Sequence, residues 1–169
     1  MTPAGLANKI VSTIYNIDNP ARAMLMFGQA VCEYLCDATT VVYSWSAVDS
    51  DGHSDPMKVI KSTRLMGNFY CNLNYASLPM QYSILMGDQL RNCIATLKAV
   101  PPTGFSIPPA RFATAVAIPF TPSYADKNMQ HWLDWSSIIV AGFQTYVDPT
   151  PLAGSHGSYH GAAVMTTIL

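Results

Sequence analysis

The densest chemistry in the chain is the run His131-Trp132-Leu133-Asp134-Trp135. An imidazole and a carboxylate three residues apart share one face of a helix, and such a pair can move a proton as general acid and base. Trp132 and Trp135 beside them can stack a sugar or a base. No third catalytic group stands at a recognisable spacing. The two indoles therefore also read as an aromatic anchor for a core or a subunit contact.

The loop Asp49-Ser50-Asp51-Gly52-His53-Ser54-Asp55 alternates three carboxylates. Oxygen ligands in alternation can hold Ca²⁺, but Gly52 comes too early for an EF-hand loop, and the twelfth position is Ile60 instead of Glu. A polar turn between strands is the expectation, and no metal is assigned. His156 and His160 have the four-residue spacing of a helical zinc pair, yet Gly154, Gly157 and Gly161 surround them, and no helix holds the pair there. Cys32 and Cys36 lie on one helical face and read as buried free thiols. No cofactor is expected.

Nine basic residues are spread along the chain, and the closest cluster is Lys58, Lys61 and Arg64. With Phe69 and Tyr70 they would form an aromatic and basic platform for nucleic acid. If that stretch is extended, Lys58 points opposite Lys61, which favours a solvated strand.

These residues sit in an unusual chain. Half of its 169 residues are hydrophobic, enough for a core, and only 11% are charged. Soluble chains usually carry about a quarter. Glu33 is the single glutamate, and the net charge is −1. Such a balance gives no global attraction to nucleic acid or anionic membrane. Low charge with 11% aromatic residues is the reverse of a disordered composition. Apolar runs such as Ala23 to Phe27 fall far short of the ~18 residues a membrane span needs. The first residues carry Lys9 and no apolar block of signal-peptide length, so the expected compartment is intracellular.

The elements that must position the candidate residues follow from periodicity. Leu6, Ile10, Ile14 and Ile17 form one helical stripe over residues 3–17. Asn19 caps a second helix with Pro20 at its first position. That helix, Ala21 to Cys36, is apolar most of the way round, so it is expected to pack on several sides. Met24, Phe27, Val31 and Tyr34 are its candidate interface residues. Residues 39–48 read as a strand, and Met57 to Ile60 as another. Phe69, Cys71, Leu73 and Tyr75 alternate with polar neighbours, Asn for the most part, as in a half-buried strand. Residues 80–100 read as a short strand and then a helix over 88–98, and Phe112 to Ile118 as a strand. Tyr124 to Trp135 reads as a turn and short helix, Ser137 to Val147 as a strand, residues 148–161 as a loop, and Ala162 to Leu169 as a terminal strand that completes a sheet.

The expected fold is α+β in one domain over residues 1–169. Helices over 1–38 precede an antiparallel sheet or β-sandwich with helical insertions. A charge-poor surface rich in Met and aromatic residues is suited to being covered. The expected function is a structural, self-assembling subunit, resembling in composition the small coat and tail proteins of viral or phage particles. Its partners would be copies of itself and other particle proteins, with no membrane; the charge balance does not indicate nucleic acid, for which Lys58, Lys61 and Arg64 are the candidate contacts. It would assemble inside the cell and reside in the virion. Tyr70, Trp132, Trp135 and Tyr146 join the candidate interface. The alternatives are a small hydrolase or transferase using His131 and Asp134, or a carbohydrate- or peptide-binding module using Trp132 and Trp135.

Overall fold

The computed structural model describes residues 1–67, 92, 94–107, 129–145 and 147–169. Helix α1 runs Pro3–Ile14 and α2 runs Pro20–Ala38. Each starts on a side-chain cap followed by proline: Thr2 accepts from the Gly5 N–H, and Asn19 from the Arg22 N–H. The two pack together through Leu6, Ala7 and Ile10 against the apolar side of α2. Lys9 bonds Glu33 at 2.7 Å, and Gln29 donates to the other carboxylate oxygen at 2.8 Å. The Tyr34 hydroxyl donates to the Thr2 carbonyl at 3.0 Å and accepts from the Thr2 N–H at 2.9 Å, clasping the start of α1.

Strands β1 (Val41–Val48), β2 (Val59–Ser62), β5 (Leu152–His156) and β6 (Tyr159–Ile168) make an antiparallel sheet in the order β2-β1-β6-β5. The terminal strand is thus interior to the sheet, paired with β1 and β5. Strands β3 (Leu65–Met66) and β4 (Lys98–Ala99) form a separate pair. Helix α3 (Met129–Gln144) packs on α1. Along β1, Val41, Tyr43, Trp45 and Ala47 are buried in alternation and share one hydrophobic cluster with the helices. Phe27 and Phe143 are fully enclosed in it. Burial of each contributes roughly 1.5–3 kcal/mol.

The α+β class with leading helices and an antiparallel sheet agrees with the expectation. Three local expectations are corrected. Ser137 to Val147 is not a strand, because α3 continues to Gln144. Its β-branched run Ile138-Ile139-Val140 favours a strand locally, but Trp132, Trp135, Ile139 and Phe143 recur at helical spacing and are all buried. The helix expected over 88–98 does not reach its end, since residues 95–96 turn and Lys98–Ala99 pair with β3. Residues 148–161 are not all loop, because β5 and β6 form a hairpin there. Its turn is Gly157-Ser158, and Gly157 takes φ 58°, a conformation that favours glycine. The strands expected at Phe69 to Tyr75 and Phe112 to Ile118 lie outside the described residues.

Candidate functional site

Asp55 enters the interior as the β1–β2 connection returns towards the sheet. Its N–H bonds the Ala47 carbonyl at 2.9 Å, and it is 1% exposed. Both oxygens of the carboxylate have donors. The Trp45 indole N–H reaches Oδ2 at 2.9 Å, the Met57 N–H reaches Oδ1 at 2.9 Å, and His156 Nδ1 lies 2.9 Å from Oδ2. Burial pushes the Asp55 pKa up. The bonds from His156, Trp45 and Met57, with the attraction of His156, outweigh it and hold the carboxyl below its ordinary value.

The partner His156 comes from β5, 101 positions away. Its ring stacks on Phe105 at 4.7 Å between centroids, and Phe105 meets Trp45 edge-on at 5.7 Å. Segment 105–107 runs beside β5. Phe105 bridges His156, the Ser106 and Ser155 hydroxyls lie 2.6 Å apart, and Ile107 fills the space above Gly154. A carboxylate on Nδ1 places the proton of the neutral ring there and leaves Nε2 as an acceptor. Among the described residues no serine, threonine or cysteine hydrogen-bonds this ring.

The outer side of the same sheet is a different surface. Directly opposed residues share a face, so Ser44 sits between Val59 and Val164, and Ser46 beside Ala162, which faces Ala153. Val42 lies between Lys61 and Thr167, and Val48 and Ser155 flank His160. Lys61 is the one Lys, Arg, Asp or Glu among these paired positions. Ser44, Ser46, Val48 and Val59 are exposed.

The residues singled out from sequence separate into distinct environments. Phe27, Val31, Trp132 and Trp135 are buried in the chain's own core. The two indoles stack edge-on at 4.9 Å, and Phe27 lies 5.8 and 6.0 Å from them. Asp134 is exposed on α3 and accepts from Gln130 at 2.8 Å. His131 and Met24 belong to α3 and α2, but their side chains lie outside the described set, as do Tyr70 and Tyr146. Lys58 donates to the Asp55 carbonyl at 2.8 Å, Lys61 lies on the outer sheet face, and exposed Arg64 lies past β2.

Asp49, Asp51 and His53 lie close together, held by bonds inside their own turn: the Asp51 and His53 N–H groups both donate to Asp49 Oδ1. His156 and His160 occupy opposite faces of the hairpin, since strand neighbours alternate and His156 pairs with Tyr159. Cys32 and Cys36 are free, buried thiols. Burial first, with Cys36 and Glu33 adding, pushes Cys32 up to about 12, and burial with Asp37, against Arg64, pushes Cys36 up to about 11.

Sequence reasoning noticed Asp55 as one carboxylate of a turn and His156 as half of a histidine pair, and did not join them. No local signal links positions so far apart. Scans of protein-family models, curated proteins and solved structures found no match for this chain. No described helix is long and apolar enough to cross a membrane.

Proposed function

We propose that this chain is a structural, self-assembling subunit, built to be covered by its neighbours in a particle of the viral or phage kind, as a coat or tail component. The observation that carries the proposal is the outer face of the sheet, where one lysine is the only formal charge among the paired residues. A solvated sheet face ordinarily alternates apolar core residues with polar outer ones, charged residues among them. Here the outer positions are Val, Ser, Ala and Thr, with one Lys and one His. The scarcity of charge along the whole sequence supports the same conclusion. The second helix no longer supports it, because Phe27 and Val31 are used inside the chain's own core.

Light scattering on purified protein, coupled to size-exclusion chromatography and negative-stain electron microscopy, tests the proposal. Rings, tubes or shells, with masses in multiples of 18.4 kDa, are the expected result. A monomer that persists at high concentration would overturn it.

The Asp55–His156 pair favours a second reading, a small hydrolase, with His156 in place of His131 as the base. Turnover of an activated ester that disappears in His156→Gln and persists in His131→Gln would support it. Equal rates in both variants would reject it.

A further inference from the structure

We infer that segment 105–107 is a releasable guard on the edge of β5, seated there by the Asp55–His156 pair. The inference goes beyond the assembly proposal and does not depend on it.

β5 is the last strand of its sheet, and it pairs with β6 along one edge. Its other edge carries backbone N–H and C=O groups that would template a further strand if left bare. Segment 105–107 runs antiparallel along that edge, in one continuous register. Phe105 bridges His156, the Ser106 and Ser155 hydroxyls meet at 2.6 Å, and Ile107 lies over Gly154. The guard is short by construction. Gly104, at φ 93°, turns the chain into it, and the Phe105 N–H bonds back to the Pro102 carbonyl at 3.1 Å. Pro108 and Pro109 follow in the sequence and have no N–H to give a ladder.

Seating therefore falls to side chains. His156 is their centre. Its ring stacks on Phe105 with 12° between the planes, and its Nδ1 lies 2.9 Å from Asp55 Oδ2. Asp55 is itself fixed by the Trp45 and Met57 N–H groups. The buried carboxylate thus holds the imidazole in the orientation that offers its face to Phe105, while Trp45 meets Phe105 edge-on. The second support is steric. Gly154 leaves room for the Ile107 side chain, and a Cβ there would collide with it. A segment held by one bridge and these contacts opens at a lower free energy than a strand in a full ladder. Removing either support should free the guard and leave the β5–β6 pairing in place, since that pairing is made by backbone groups.

Chymotrypsin cleaves after Phe105 once the segment leaves its seat, so the fragment ending at Phe105, followed by mass spectrometry, reads the open population. The parent chain should be cut slowly there, and Gly154→Val and His156→Ala more than about tenfold faster. Circular dichroism of both variants should match the parent. Folded variants cut at the parent's rate would overturn the inference. Should both variants fail to fold, Ser106→Cys/Ser155→Cys gives the answer instead, because the facing positions are within reach of a disulfide. The oxidised form should resist cleavage at Phe105, and the reduced form should be cut at the parent's rate. Equal cleavage of the two forms, or no disulfide under oxidation, would overturn the inference. The oligomeric state of the parent chain is read separately by light scattering, so a monomer would overturn the assembly proposal and leave the guard standing.

Discussion

Asp55 shows how one side chain acquires a role from bonds its sequence neighbours do not announce. It is a buried carboxylate with three donors, and its pKa lies below the ordinary value. A lowered folded-state pKa means a contribution to stability that is complete above the unfolded value, near ~3.9, and is lost as pH falls through the folded value. Urea midpoints measured from neutral pH down through the acid range should therefore fall on the acid side for the parent chain. Asp55→Asn should be less stable at neutral pH, because the amide nitrogen accepts no hydrogen bond and, whichever way the amide turns, faces either the Trp45 and His156 donors or the Met57 N–H. Its acid-side fall should also be shallower. Parallel curves would show that Asp55 is not a source of the acid sensitivity. At this scale the sequence supplied the residue types, and folding supplied the pairing.

Elements with local signals were legible. Asn19-Pro20 marked the start of α2, and the β-branched and aromatic content of residues 39–48 marked β1. Elements whose local preference and tertiary environment conflict were not. Ile138-Ile139-Val140 favours a strand in isolation, and the core formed with α1 and α2 makes it helix. The β5–β6 hairpin was hidden in a glycine-rich stretch, where Gly157 turns the chain and Gly161 lets β6 approach β1. A Cβ at Gly161 would lie 2.0 Å from the Ser46 carbonyl oxygen and 2.5 Å from the Ala47 Cα. Both are backbone atoms and cannot swing away. Gly161→Ala should destabilise the fold by about 1–3 kcal/mol. Thermal denaturation would read this as a lowered Tm, whereas an unchanged Tm would mean that β6 can move away from β1 at little cost.

For the whole molecule the governing fact is the scarcity of charge. Nine basic and ten acidic side chains serve 169 residues, and the outer sheet face uses one of them among its paired positions. Association through such a face is driven by removal of apolar surface from water, which salt does not screen. Raising sodium chloride from about 50 mM to about 500 mM shortens the Debye length several-fold. The assembled mass in light scattering should hold or rise across that range. A fall to monomer would show that charge pairs hold the assembly, and would move attention to Lys58 and Arg64.

By itself the sequence determined the class of fold, the starts of α1 and α2, the strand at β1 and the poverty of charge. These follow from composition and from periods of two and 3.6 residues, both properties of neighbours along the chain. Only the tertiary structure decided that Trp132 and Trp135 belong to the core, that Asp55 holds His156, and which sheet face is left uncovered. Those depend on contacts between residues tens to a hundred positions apart, where burial and hydrogen bonding outweigh local preference.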